Sequence, residues 1–281
     1  MLCHQTVRDA LEDVRSWGFT DVFRQHHPEG GIYSWWDYRF GAFNKNAGLR
    51  IDLILATGAR EYRPDQYLCG EHPAVLTHLE MDSALRGDDP RLEKASDVVF
   101  IQCVGSRDVQ SGNEYCSGVC CMYAIKEAIM AIEHEPDLSC EVFYMDIRAH
   151  GKGFDEYYER AKSLGIKFTR CRPAKVEQLD ETETLRIGYV DEDTQEYHTR
   201  EFDMVILSAG LQPPKDVRDM AEKFGVALNK FGFAETKPFD TVSTTRDGIY
   251  VCGPFAQPKD IPERHYSSNR RCIAVGKPSL Q

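Results

Sequence analysis

Short apolar runs recur along this chain between polar stretches rich in glycine, proline and acidic residues. From Arg50 to Ala59, RIDLILATGA is an apolar strand that ends in a small-residue turn, where another backbone or a ligand can come close. A polar connection, ARGDDPRLEKA, is expected between Ala84 and Ala95, and DVVFIQCVGS then reads as a buried strand. YCSGVCCMYAIKEAIMAIEH carries apolar residues at helical spacing, with Met122, Ile125 and Ile129 on one face. A strand (Cys140 to Ile147), a helix (Gly153 to Gly165) and a strand (Ile166 to Cys171) continue the alternation. AKVEQL, TLRIGYVDED and QEYHTREF then read as a β-meander, with turn signals at Asp180 to Glu183 and Asp191 to Thr194. DMVILSAG (Asp203 to Gly210) is a further buried strand, followed by a helix (Val217 to Phe224), an extended linker and GIYVCGPFAQPKDIPE (Gly248 to Glu263). Alternating strands and helices predict an α/β fold with a parallel sheet, to which the meander adds antiparallel strands.

The chemistry gathers in one place. Cys103 ends an apolar strand and Cys116, Cys120 and Cys121 open the helical run, in the spacing C-x12-C-x3-C-C. Four thiolates arriving from a strand end and one helix start can close around a [4Fe–4S] cluster or a tetrahedral zinc ion. Unpaired N–H groups at the helix start suit anionic sulfur. Buried cysteines can also be plain core residues. The adjacent pair Cys120–Cys121 argues otherwise, because neighbours on a helix point about 100° apart and one apolar face cannot take both. Cys140, Cys171 and Cys252 lie on or beside apolar strands and read as core; Cys69, in the turn-like YLCGEHP, reads as structural.

Composition narrows the function classes. The chain has 281 residues, enough for two domains with their own cores, and is 42% apolar and 28% charged. It contains no apolar run long enough to span a membrane and no secretory pattern. A net charge of −11 argues against general nucleic-acid binding, since phosphates repel such a surface. Ten cysteines without a leader suggest a reduced cytoplasm in which thiolates serve as ligands. No G-x-G-x-x-G occurs, and the loop after DVVFIQC is VGSRDVQSGNEYC, so a nicotinamide site of the usual kind is not expected.

The run CVGSRD…YCSGVCCMYAIKEAI resembles the characteristic segment of the A subunit of heterodisulfide reductase, a flavin-carrying, iron–sulfur-rich electron-transfer family. The likeness recurs in ATGAREYRP, GFDEYYERAKSLGIKF, VILSAGLQP and YVCGPFAQPKDIPE, over roughly Ala56 to Glu263. It implies a partial two-domain fold of the FAD/NAD(P)-disulfide-reductase type, with 57–97 and 211–263 as part of a flavin domain. Residues 98–210 would be a nucleotide-domain-like module carrying the cysteines, and 264–281 stay unassigned. It implies a [4Fe–4S] cluster on Cys103, Cys116, Cys120 and Cys121. It also implies FAD contacts from Thr57, Gly58, Ala59, Gly253, Pro254, Lys259, Asp260 and Ile261. Gly253-Pro254 stands where related reductases have Gly-Asp, and the flavin domain's glycine fingerprint is absent, so FAD is expected to be held weakly or not at all. Electron-transfer partners would be the reductase's B- and C-like subunits, a hydrogenase or a ferredoxin.

The first fifty residues follow another pattern. Their six basic and six acidic residues balance, so the whole charge excess lies after Arg50. GFTDVFRQHHPEGGIYSWWDYRFGAFNKNAGLRIDLILAT resembles the C-terminal part of exonuclease III-type apurinic endonucleases, with a helix before it from Thr6 to Trp17. In that family the loop around Trp35, Trp36 and Arg39 touches DNA and the residue at Asp52 orients a histidine. The carboxylates that would hold a catalytic cation are missing, so residues 1–56 read as an α+β remnant without nuclease activity, joined within strand 50–59.

Overall fold

The computed structural model describes residues 53–260 apart from 88, 180–183, 239 and 247, together with 12, 16, 35–36 and 48–49. Two short strands, β1 (Trp35–Trp36) and β2 (Gly48–Leu49), pair antiparallel. Apart from residues 12, 16 and 53–56, the rest of the nuclease-type stretch, including Arg39 and Asp52, lies outside the described residues, as does 261–281.

The fold is α/β and is built around a five-stranded parallel sheet. Its strands are β5 (Val75–Thr77), β6 (Asp97–Val104), β7 (Ser139–Tyr144), β8 (Lys167–Arg170) and β12 (Met204–Ala209), in the order β5-β12-β6-β7-β8. β6 sits centrally, and seven of its eight residues are buried, as expected of a near-continuous apolar strand covered on both faces. Val98 and Phe100 face the helices, among them α3 (Cys120–His134) through Ala124, Ile125, Ala128 and Ile129. Val99 and Ile101 face the opposite way, onto the antiparallel sheet β11-β10-β9. That sheet is the meander: β9 (Val176–Gln178), β10 (Leu185–Val190) and β11 (Tyr197–Phe202).

The polar connection expected at 84–95 is instead mostly helical. α1 (His78–Arg86) starts on a capping box in which Thr77 and Glu80 each accept a backbone N–H from the other. Its buried residues His78, Met81, Ala84 and Leu85 form one narrow stripe, and so much polar sequence around it hides the period. α2 (Pro90–Lys94) follows at once, capped by Asp89 with Pro90 in its first turn.

A second sheet, β14-β15-β16-β3, stands apart in the fold. It contains β3 (Leu53–Ala56), β14 (Thr236–Lys237), β15 (Asp240–Thr244) and β16 (Ile249–Cys252), so the supposed extended linker supplies two strands. Its core joins Leu55, Val251 and Phe255 to Val217 on α5 (Val217–Phe224). The antiparallel pair β4 (Arg60–Glu61) and β13 (Leu211–Gln212) links the two bodies. The stretch 57–97 divides between them, because Val75–Thr77 pairs with β12 in the five-stranded sheet. α4 (Phe154–Ser163) completes the helical layer.

Tyr62, just after β4, lies across Gly105, the first residue beyond β6. A Cβ built on Gly105 would stand 1.9 Å from the Tyr62 ring, and its φ of +65° is left-handed. Gly105→Ala is therefore expected to lower stability by about 2 kcal/mol, from backbone strain plus displacement of the ring. Urea unfolding of the variant beside Gly112→Ala tests this: Gly112 also has positive φ but nothing within 4 Å, so it isolates the packing part.

Candidate functional site

Strict alternation along β6 would put Cys103 with Val99 and Ile101, facing the meander. Instead Cys103 packs against Cys120 and Cys121 on the helical face, and Val104 packs on the meander side. A bulge makes the switch. Leu207 pairs with Ile101 and Ala209 with Val104, so Gln102 and Cys103 together oppose Ser208. Cys103 has φ 60°, a left-handed conformation that costs a non-glycine residue about 1–2 kcal/mol and here aims its thiol at the start of α3.

The three thiols form a compact, dry group; Cys103, Cys120 and Cys121 are 4%, 1% and 4% exposed. Cys120 donates to both neighbours, which with its burial keeps its own proton on and holds its pKa well above the usual thiol value. Cys121 drops to about 7, chiefly through that hydrogen bond, and Cys103 is lowered for the same reason. Two of the three are thereby biased toward the thiolate form that binds metal. α3 begins without a side-chain cap, and its first turn holds no acidic residue, so no side chain offsets the positive end of the helix beside Cys120 and Cys121.

Cys116 is half-buried and stands outside this trio, its Sγ accepting the Gly118 N–H at 3.3 Å. Among the described residues no group of three or more His, Cys, Asp or Glu side chains is arranged to hold a metal ion. The donor chemistry nonetheless fits one: three soft ligands in contact, and a fourth on a loop beside them. Gly112 and Gly118 in that loop both have positive φ and open space where a Cβ would be.

The rest of the loop is tied down. Ser106 and Ser117 share a buried hydroxyl hydrogen bond of 2.8 Å, and Ser117 Oγ accepts the Leu211 N–H at 2.8 Å. Tyr115 donates its hydroxyl to the Leu211 carbonyl and packs edge-on against Phe231 and Phe233. Three charged side chains missed in reading the chain close the rim: Asp146 binds Arg107 at 2.8 Å and Arg148 at 3.1 Å. Their position was the available signal, Arg107 just beyond the carboxyl end of β6 and Asp146 and Arg148 just beyond that of β7, since open parallel sheets bind ligands there. A buried carboxyl, Glu127, was missed as well; its Oε2 has no partner on the inner face of α3.

The flavin-type residues come together at the ends of two other strands. β3 and β16 run parallel and in register, Ala56 opposite Cys252, so Thr57-Gly58-Ala59 and Gly253-Pro254 leave the sheet side by side. Thr57 Oγ1 is buried without a partner, and a Cβ on Gly58 would meet nothing within 4 Å. An orphaned hydroxyl beside open backbone suits a ligand such as a flavin dinucleotide. Lys259 is buried and Asp260 half-buried a few residues further on, whereas Ile261 lies outside the described residues. Cys140 and Cys171 are core residues; Cys69 and Cys252 are half-buried.

No family model matches the chain. Among curated proteins it is 40% identical over 235 residues to the A subunit of the H(2):CoB-CoM heterodisulfide,ferredoxin reductase of Methanothermobacter marburgensis, covering 75% of this chain and 34% of that one. It is 38% identical over 244 residues to the iron-sulfur A subunit of the CoB--CoM heterodisulfide reductase of Methanocaldococcus jannaschii, covering 82% and 37%. The chain belongs to the heterodisulfide reductase A family. A family member from Archaeoglobus profundus is 30% identical and matches 96% of the chain, which reaches into the first fifty residues. The nuclease reading of those residues has no support in these comparisons. The chain spans little more than a third of the length of these heterodisulfide reductase proteins. Solved structures give its fold alone: Lactococcus lactis thioredoxin reductase (TM-score 0.51, 16% identity) aligns over 80% of this chain and 64% of its own. The FAD-bound cadaverine monooxygenase DfoA of Erwinia amylovora (TM-score 0.53, 10% identity) aligns over 81% and 60%.

Proposed function

We propose that this chain is an electron-transfer segment of the heterodisulfide reductase A type, holding one [4Fe–4S] centre on Cys103, Cys116, Cys120 and Cys121. The observation that carries the reading is the bulge that turns Cys103 off its expected face and onto Cys120 and Cys121. A strained residue in mid-sheet is hard to explain as core packing and easy to explain as ligand placement. Bound there, such a centre stores single electrons beside the two-electron chemistry of a flavin. The chain's own part is to exclude water around the sulfurs and supply N–H donors from the start of α3.

FAD is proposed on the Thr57-Gly58-Ala59 and Gly253-Pro254 turns, with Lys259, Asp260 and Ile261 as further contacts. The likeness over a third of the relatives' length makes electron-transfer partners of the B- and C-type, hydrogenase or ferredoxin kind part of the same proposal. So are the division into a flavin-type and a cysteine-bearing unit and the assignment to a reduced cytoplasm. Among the described residues no helix is long and apolar enough to cross a membrane.

Anaerobic reconstitution with iron and sulfide, followed by metal analysis and electron paramagnetic resonance, tests the centre. Wild type and Cys140→Ser should both take up about four irons, the number in a [4Fe–4S] cluster, and Cys120→Ser should lose the signal. Equal behaviour of the two variants, or zinc in place of iron under iron-replete expression, sinks the assignment. An ultraviolet–visible spectrum taken after gel filtration reports whether FAD stays bound.

A further inference from the structure

We infer that Arg107 and Arg148, both held by the one carboxylate of Asp146, set the reduction potential of the four-cysteine centre. The inference rests on the proposed iron–sulfur reading and concerns residues outside its ligand set. Arg107 Nη1 lies 2.8 Å from Asp146 Oδ2, and Arg148 Nε lies 3.1 Å from Oδ1, so one side chain fixes both guanidinium groups. The Asp146 carbonyl is 3.8 Å from Cys121 Sγ, which places the whole group against the sulfurs.

Each arginine reaches different ligands. Arg148 donates its backbone N–H to the Cys121 sulfur, and its guanidinium is held charged first by Asp146 and then by negative charge on Cys116 and Cys103. Arg107 favours the thiolate of Cys103. Between them they address three of the four cysteines, including Cys116, which stands outside the contact trio. Two cations and one anion leave a net charge of +1 at the rim. Reducing the centre adds a negative charge, so nearby cations and N–H donors favour the reduced form and raise its potential. The side chains are 26% and 39% exposed, so water weakens the effect without abolishing it.

The geometry also explains an otherwise odd backbone. Arg107 is non-glycine at φ 55°, and that turn directs its side chain across to Asp146 on the next strand's exit. Its backbone N–H is meanwhile taken by the Tyr115 carbonyl at 2.9 Å, locking the turn.

Redox titration of the reconstituted protein, followed by electron paramagnetic resonance, tests the inference. Arg107→Gln and Arg148→Gln should each keep the iron content and shift the midpoint negative. At a fixed potential the reduced-to-oxidised ratio should fall roughly tenfold, which is 59 mV for one electron. Arg148→Lys, which keeps the charge and the backbone donor, should recover most of the shift. Arg186→Gln, in an exposed pair with Glu201 on β10, is the control and should not move it. Iron content retained with midpoints equal to that control overturns the inference and leaves the iron–sulfur reading standing. Wild-type protein that takes up no iron overturns both.

Discussion

Glu127→Gln is expected to stabilise the protein by about 3–5 kcal/mol at pH 8 and by almost nothing at pH 4.5. Glu127 is 4% exposed, and its Oε2 has no hydrogen-bond partner. Burial, followed by the nearby charge of Asp82, pushes its pKa from 4.5 up to about 9, and Glu61 adds to the rise. Lys126 works in the other direction but is drawn toward Asp82 at 3.8 Å. The folded protein thus keeps a proton that the unfolded chain gives up above about pH 4.5. Between the two values the unfolded state binds fewer protons, so stability falls as pH rises, by about 1.4 kcal/mol per pH unit, and levels off above about pH 9. Across that window the ceiling is about 6 kcal/mol, and local water entry will lower it. Glutamine keeps the shape and has no proton to lose. Denaturant midpoints of wild type and variant from pH 4.5 to 9.5 should diverge steadily; parallel curves would show that Glu127 ionises freely.

The second large effect should come from Arg200→Met, with a loss of about 3–5 kcal/mol. Glu141 on β7 is 3% exposed and lies beneath the meander. It is held by the Arg200 guanidinium from β11 and by the Thr169 hydroxyl from β8. Arg200 also lies 3.7 Å from Asp97 and stacks over Phe202, so it binds the meander to two strands of the parallel sheet, β6 and β7. Methionine fills the volume but leaves a carboxylate stranded in the interior, and stranding costs more than the pair contributes. Pairing Arg200→Met with Glu141→Gln should recover at least half of the loss. A double variant as unstable as the sum of its parts would mean that packing, not the stranded charge, dominates.

What could be read from the chain depended on how local each cause was. The strands DVVFIQCV and MVILSA were legible because both faces are buried and the apolar run is unbroken. The meander was legible from its turn residues. The cysteine spacing singled out four residues, of which the structure brings Cys103, Cys120 and Cys121 together and leaves Cys116 beyond the trio. α1 was hidden because only four of its nine residues are buried, between charged neighbours. The inversion at Cys103 could not be read from β6 at all. It depends on where β12 places Ser208, and that pairing bridges more than a hundred residues. The arginine pair was illegible for a related reason: Arg107 and Asp146 belong to different strand exits, and only the parallel order of β6 and β7 makes them neighbours. Glu127 broke the helical pattern in plain sight, a charged residue two turns after Cys120 on the same stripe.

The pairing of β3 with β16 bears on the order in which the molecule comes together. Leu53 lies against Ile249, about two hundred residues further along, whereas the five-stranded sheet closes within the span from Val75 to Ala209. Contacts this distant are slow to form, because the entropy of closing the loop is lost before any of its strand pairing is gained. During synthesis the cysteine-bearing sheet is complete while Leu53–Ala56 still has no neighbour, an unpaired apolar edge open to the wrong partner. The thiol trio is thus assembled in a body that exists before the four-stranded sheet does, so a metal held there as proposed would not have to wait for that sheet.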